Sequence, residues 1–135
     1  MKTKPVLTFH DIKAILTAAE QHAQSKQWAV SIAIVDDGGQ LLALQRLDDA
    51  APMTAGMASA KANAAALGRR ETRLFEEMIN QGRTAFLSAP NLQGMLEGAV
   101  PILVDGQVVG AVGVSGVKPS EDAEIARAGI AGLAA

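Results

Sequence analysis

Cysteine and tyrosine are absent from this chain, and its aromatic residues are limited to three phenylalanines and one tryptophan. Without cysteine the chain forms no disulfide, no thiolate metal site and no cysteine nucleophile. No uninterrupted apolar run is long enough to cross a bilayer, so a membrane-spanning role is not expected. The formal net charge of -2 gives no basis for a nucleic-acid or anionic-membrane partner, because both attract strongly basic surfaces.

The rest of the composition is typical of one soluble globular domain. Hydrophobic residues make up 49% of the 135 positions and charged residues 19%, which is too apolar for a disordered chain. We therefore expect a single domain over residues 1–135. Residues 1–5 contain lysines but no apolar segment follows them, so no secretory signal is predicted and we expect a cytoplasmic location.

The scarcity of large side chains bears on assembly. Aromatic residues amount to 3% of the chain, whereas glycine alone occurs 13 times. Because small residues bury little area each, we expect further burial between subunits and predict a homo-oligomer. A monomer with a small, alanine-rich core is the alternative.

Apolar spacing and turn residues predict an alternation of helices and hairpins. Thr8 is a good N-cap with Asp11 in the capping-box position, and Thr72 is the predicted N-cap of a short helix that ends before Gly82. The predicted elements are helices over 9–25, 53–68, 73–81 and 119–133, strands over 28–35 and 40–46, a hairpin within 100–116, and an irregular segment over 83–98. This order, α-β-β-α-α-β-β-α, predicts an α+β fold whose mainly antiparallel central sheet is built from two hairpins, with helices on one or both faces.

The last hairpin carries the most informative pattern. Asp105-Gly106 separates two apolar, β-branched runs, which is a strong signal for a two-residue turn. Glycines follow at 110, 113 and 116. Since glycine weakens a strand, three of them indicate close approach of a backbone, a ligand or a neighbouring subunit.

Several common sites are excluded by spacing. The glycines at 110, 113 and 116 lack the Gly-Lys-Ser/Thr ending of a phosphate loop and do not open a helix in a βαβ unit. The two histidines, His10 and His22, are too far apart for a paired zinc motif, so no metal site is predicted. Ser115 lacks the flanking glycine of a nucleophile elbow, so ordinary hydrolase chemistry is not favoured.

Taken in order, the motifs of the chain resemble those of the GlcG/HbpS family, which includes the C-terminal domain of PduO-type cobalamin adenosyltransferases. The matching segments are 35–41, 46–48, 60–62, 70–72, 98–106 and 109–116, with Asp122 at the acidic start of the last helix. The resemblance implies a profilin-like fold, assembly into oligomers and, in some members, haem binding. The chain departs from the family at Gly98-Ala99, where a Gly-Gly pair is usual, and at Asn63, where threonine is common. Both positions are expected to lie near the ligand pocket.

If haem is the cofactor, its iron needs an axial donor. Cysteine and tyrosine are absent, which leaves histidine and methionine among the usual donors. His10 is predicted on the solvent side of the first helix, whereas His22 lies at the flank of its buried face and is the preferred axial ligand. A surface histidine is the alternative for His22. Met53 and Met57 lie one turn apart, which favours flexible core filler over a cofactor contact.

Charged side chains near the matched motifs are the other candidates for ligand binding. Lys61 either extends to solvent or points into a cleft and binds a carboxylate or a haem propionate. Arg46 and Asp48 form a surface ion pair, or Arg46 binds an anionic ligand beside Asp48. Together with His22 and Asn63, Arg46 and Lys61 form the predicted cofactor-binding set.

Two carboxylates complete the candidates, and three functions remain open. Glu97, next to Gly98, and Asp122 are pocket candidates, although a solvated loop carboxylate and a helix-dipole partner are the simpler interpretations. The first hypothesis is an oligomeric accessory protein that binds haem or a related tetrapyrrole. The second is an accessory enzyme for a small hydroxy acid or aldehyde, with Lys61 and Arg46 binding the carboxylate and Glu97 as the acid or base. The third is a structural or regulatory subunit.

Overall fold

The computed structural model describes residues 1–134 of the chain. Its helices are α1 (Phe9–Ser25), α2 (Met53–Gly68), α3 (Thr72–Asn80) and α4 (Pro119–Ala131), and its strands are β1 (Ser31–Asp36), β2 (Leu41–Arg46), β3 (Ala99–Val104) and β4 (Gln107–Ser115). Short 3-10 helices cover Thr84–Ser88 and Gly132–Ala134. The order predicted from the sequence is confirmed, and so are the two hairpins.

The four strands form one antiparallel sheet in the order β2-β1-β4-β3. The two hairpins therefore lie side by side, joined through β1 and β4 at the centre. Asp105 and Gly106 both have positive φ, at 51° and 76°, as the turn between β3 and β4 requires. The predicted α+β fold with a sheet made of two hairpins is confirmed.

Helices cover both faces of the sheet. On one face, alternate residues of the central strands, among them Ile32, Ile34, Val112 and Val114, pack with α1 and α4 in the larger core cluster. On the other face, Ala33, Val35 and Ala111 pack against the alanines of α2. The period-two alternation of each strand thus separates two cores.

Helix α2 approaches β4 unusually closely. A Cβ placed on Gly113 would lie 2.3 Å from the carbonyl oxygen of Ala58 and 2.6 Å from the backbone nitrogen of Ala62. Gly110 likewise faces the carbonyl of Val35 on the neighbouring strand. The close approach predicted from these glycines is therefore confirmed, and its partner at Gly113 is a helix backbone.

The two predicted N-caps have different outcomes. At α1, Thr8 and Asp11 form the expected reciprocal capping box. At α3, the N-cap is Glu71, and Thr72 is the first helical residue. The hydroxyl of the buried Thr72 instead accepts a hydrogen bond from the backbone N–H of Ala99 at 3.0 Å. The Thr72 prediction is wrong because this side chain satisfies the start of β3, a partner distant in sequence.

Among the described residues, no helix combines the length and the apolar composition needed to cross a membrane. The longest, α1, has 17 residues and exposes a polar face to solvent.

Candidate functional site

A buried ion pair lies where α2, the end of β4 and the start of α4 meet. The Nζ of Lys61 donates to the carbonyl of Val114 and to Oδ2 of Asp122, both at 3.1 Å. The two charged side chains are only 5% and 2% exposed. Lys61 is surrounded by alanines on α2, and these small neighbours let its stem follow the sheet surface inward. The solvent-extended alternative for Lys61 is therefore wrong. Asp122 lies in the first turn of α4, as its helix-dipole interpretation requires, and in addition it pairs with Lys61.

Both carboxylate oxygens of Asp122 accept hydrogen bonds. While Oδ2 accepts from Lys61, Oδ1 accepts from the backbone N–H of Val117 at 3.1 Å. Burial raises the pKa of Asp122 above its ordinary value, and the Lys61 ammonium and the Val117 N–H oppose that rise without cancelling it. The carboxyl group therefore takes up a proton more readily than an exposed aspartate does.

Gly98 packs directly against this ion pair. Its φ is +140°, and a Cβ there would lie 2.8 Å from the Nζ of Lys61 and 2.8 Å from the carbonyl oxygen of Val114. Its own carbonyl accepts from the N–H of Val114 at 3.0 Å. Glycine is required at this position for both conformation and space. The structure therefore brings together Lys61, Gly98 and Asp122, three of the residues predicted from the sequence.

A pocket of about 350 Å³ opens above the pair and is called the Lys61 pocket below. Its mouth carries the apolar side chains of Met53, Met57 and Leu96, and the predicted candidate Glu97 lies beside it. Met53 is 67% exposed, so the core-filler interpretation is wrong for this residue. The remaining lining residues are Ala51, Thr54, Lys61, Glu76, Ser115, Gly116, Val117, Pro119 and Asp122.

Hydroxyl groups in this pocket were missed at the sequence level. Thr54 donates to the carbonyl of Ala51 at 2.6 Å, so the 2.8 Å contact between Thr54 and Ser31 has Ser31 as the donor. Ser115 is 5% exposed, and its hydroxyl makes no hydrogen bond to any residue in 1–134. The sequence pattern that could have revealed them is the alternation of side chains between the two faces of the sheet along β1 and β4. This alternation places Ser31 and Ser115 opposite each other and on the face that α2 covers.

The acidic wall of the pocket is formed by Glu76 and Glu97. The backbone N–H of Glu97 donates to Oε1 of Glu76 at 3.3 Å, so α3 holds the loop that precedes β3. The Glu97 side chain remains a candidate proton donor or acceptor for a bound molecule.

His22 lies on a different surface, between α1 and α4. Its Nε2 is 2.7 Å from a carboxylate oxygen of Glu124, and its side chain is 29% exposed. The ring meets Trp28 edge-on, with the centroids 6.2 Å apart. The carboxylate orients the imidazole as second-shell partners of metal-binding histidines do. Its role as an axial ligand stays a prediction. His10 is exposed on the first turn of α1, as predicted.

Arg46 and Asp48 line a separate groove of about 480 Å³ beside Trp28. Neither of them takes part in an ion pair among residues 1–134, so the surface-pair alternative is wrong. The groove shares no lining residue with the Lys61 pocket. Arg46 and Lys61 therefore do not face the same pocket in one subunit.

Asn63 supports the turn between β1 and β2. Its Nδ2 donates to the carbonyl of Gly39 at 2.9 Å, and it lines a third pocket of about 400 Å³ with Leu41. Within residues 1–134 no cluster of three or more histidine, aspartate or glutamate side chains is arranged to hold a metal ion.

A family model described as "Haem degrading protein HbpS-like" matches residues 7–131. The chain belongs to the HbpS-like family. The resemblance noted from the motifs is thereby confirmed. Among HbpS-like relatives, Protein GlcG of Escherichia coli (strain K12) is 57% identical over 115 residues, which cover 85% of each chain.

Solved structures agree with this assignment. Protein ORFY of Klebsiella pneumoniae superimposes with a TM-score of 0.89 at 26% identity and covers 100% of this chain and 97% of its own. A structure of a PduOC:haem complex superimposes with a TM-score of 0.83 at 28% identity and covers 95% of both chains. At least one structural relative of this chain has therefore been crystallised with haem.

Proposed function

We propose that this chain binds haem or a related tetrapyrrole and that the Lys61 pocket receives it. The observation that carries the proposal is the combination of an apolar mouth, two thioether side chains and a buried ammonium in one concavity. Haem presents an apolar ring, an iron that accepts thioether or imidazole ligands, and anionic propionates. The family match and the haem complex of PduOC support the same ligand.

The residues present fit such a group. At the mouth of the pocket, the sulfur atoms of Met53 and Met57 would bind the haem iron. At its floor, the ammonium group of Lys61 supplies a positive charge. When bound, haem would supply redox-active iron. The chain itself would exclude water from the ring through Leu96 and the two methionines and would hold a propionate near Lys61. His22 remains the alternative iron donor, outside this pocket.

Haemin titration followed by absorbance tests the proposal. We expect a saturable Soret shift with wild-type protein and at least a tenfold loss of affinity, or a shifted band, in Met57→Leu or Met53→Leu, because leucine conserves volume but removes the sulfur. Met78→Leu, a methionine on α3 that does not line the pocket, is the matched control.

The His22→Ala variant, titrated with haemin in parallel, identifies which side chain binds the iron. If His22→Ala alone abolishes the Soret shift, the iron is held on the α1–α4 surface and the Lys61 pocket is not the haem site. Featureless uptake without saturation in the wild-type protein would overturn the haem proposal altogether.

Assembly into a homo-oligomer is part of the same proposal. The edge strand β2 exposes Leu41, Leu42 and Leu44 to solvent at 52%, 40% and 42%, although apolar edge strands are usually protected in monomers. We therefore infer that a second copy of the chain packs against the edge of β2.

Sedimentation velocity tests the assembly. Leu44→Lys is expected to lower the molecular mass in solution, because it adds an unpaired charge to the exposed edge of β2. Leu74→Lys, a similarly exposed leucine on α3, is the control and is expected to leave the mass unchanged. A monomeric wild-type protein at micromolar concentration would contradict the inference.

An accessory enzyme for a small hydroxy acid or aldehyde is the second candidate. The size of the Lys61 pocket and the position of Glu97 at its mouth favour it. In a single subunit, however, only Lys61 is available to bind a carboxylate there, since Arg46 lines the other groove. Thermal stabilisation by small hydroxy acids but not by haemin would favour this function. Stabilisation by neither, with a large stable assembly, would favour a structural or regulatory subunit.

A further inference from the structure

Two donor groups on the floor of the Lys61 pocket have hydrogen-bonding capacity that the described residues do not use. An ammonium group has three N–H donors, and Lys61 uses one for the carbonyl of Val114 and one for Asp122. The hydroxyl of Ser115, the residue after Val114, has no hydrogen-bond partner within residues 1–134. The residue as a whole is 5% exposed, and its oxygen is open to the solvent of the pocket. Donors that line a pocket bond to water in the free protein, and a ligand that displaces this water must supply acceptors in its place.

Both donors face the same concavity. Lys61 and Ser115 line the pocket together with Asp122, and the side chains of Met53, Met57 and Leu96 surround its mouth. Two donors at the end of an apolar channel match the two oxygens of one carboxylate. An apolar body attached to that carboxylate would lie among the methionines.

The negative charge around the pocket affects how a carboxylate binds there. Asp122 already neutralises Lys61, and Glu76 on α3, Glu97 before β3 and Glu121 on α4 add further negative charge around the pocket. A ligand carboxylate at Lys61 would therefore place two carboxylates on one buried ammonium. When two carboxylates share a site, the pKa of one of them is strongly raised, and we therefore expect one of the two to take up a proton.

We propose that the Lys61 pocket binds the carboxylate of an amphipathic carboxylic acid through Lys61 and Ser115, and that binding transfers one proton from solvent to Asp122. This inference rests on the proposed function and specifies which part of the ligand is recognised. Asp122 is suited to the proton because burial already raises its pKa and because Val117 continues to hold Oδ1.

Calorimetric titration with butyrate and with butyramide tests the inference. The two probes have nearly the same shape and differ in charge. We expect butyrate to bind at least tenfold more tightly at pH 6, with uptake of about one proton per site when buffers of different ionisation enthalpy are compared. The affinity for butyrate should fall about tenfold per pH unit once Asp122 is ionised in the free protein.

Variants separate the contribution of the Ser115 hydroxyl and of the Asp122 carboxyl group from general folding effects. Ser115→Ala is expected to weaken butyrate about tenfold or more, the usual effect of losing a hydrogen bond to a charged group. Ser88→Ala is the matched control, since Ser88 is exposed and bonds only the carbonyl of Ala85. Asp122→Asn retains an oxygen for Val117 and should abolish the proton uptake.

Equal binding of butyrate and butyramide, or butyrate binding without proton uptake, would overturn the inference. A comparison of haemin with its dimethyl ester, which has no free carboxylate, distinguishes failure of this inference from failure of the haem proposal. If both forms bind equally, haem binding stands and the carboxylate anchor fails. If butyrate binds with proton uptake but haemin does not bind, the anchor stands and the haem proposal fails.

Discussion

Lys61→Met is expected to lower the free energy of unfolding by about 3 kcal/mol at pH 7. Methionine replaces the stem of the lysine but leaves Asp122 buried, at 2% exposure, without its cation. Removing one partner of a buried ion pair is costly because the other charge stays out of water without compensation. Urea unfolding at a fixed protomer concentration measures the loss.

The loss should depend on pH with a definite sign. The pKa of Asp122 is already raised in the folded protein, and removing Lys61 removes an interaction that lowers it. A carboxyl group whose pKa is raised by folding contributes its full stability below its unfolded pKa of about 4 and loses it as the pH rises through the folded pKa. We therefore expect Lys61→Met to be less destabilising at pH 4.5 than at pH 7.

The double variant Lys61→Met/Asp122→Asn is the matched test of that explanation. No buried charge remains in it, while asparagine still offers an oxygen to the N–H of Val117. It should recover at least half of the stability lost in Lys61→Met. A double variant as unstable as the sum of the two single variants would show that packing, and not the uncompensated charge, causes the loss.

Gly113→Ala is expected to lower the free energy of unfolding by about 3 kcal/mol, at the upper end of the usual cost of overpacking. The added methyl would lie 2.3 Å from the carbonyl oxygen of Ala58 and 2.6 Å from the nitrogen of Ala62. Both atoms belong to the backbone of α2, so no side-chain rotation relieves the clash. Because α2 must move away from β4, the Lys61 pocket should lose ligand affinity as well.

Gly56→Ala on the same helix provides the control for Gly113→Ala. A Cβ at Gly56 meets no atom within 4 Å, so alanine should stabilise the helix interior by up to about 1 kcal/mol. Thermal unfolding of the two variants should therefore shift in opposite directions. A Gly113→Ala protein as stable as wild type would contradict the close packing of α2 on β4.

The positions of helices and strands followed from local patterns. Thr8 with Asp11 starts α1 as a capping box, and Asp105-Gly106 forms the turn of the second hairpin. Such features involve residues a few positions apart, so propensity and spacing are sufficient to predict them. Thr72 shows the limit of this reasoning, because its hydroxyl is taken by Ala99, which follows 27 positions later.

The candidate site was predictable only in part. Family motifs indicated Lys61, Gly98 and Asp122, and the structure places these three in contact. Ser115 was missed because its burial depends on α2 covering the end of β4. Arg46 was grouped with Lys61, but it lies at the end of the edge strand and lines another groove.

Residue order alone defined the α+β class and its two hairpins, because turns, caps and apolar periodicity are local properties of the chain. Tertiary structure decided what the charges do. Lys61 and Asp122 are 61 positions apart, and only the packing of small residues on α2 against Gly113 brings the ammonium to the start of α4. Burial removes water from both charged groups, so each one is stabilised mainly by the other. This ion pair lies beneath an open pocket.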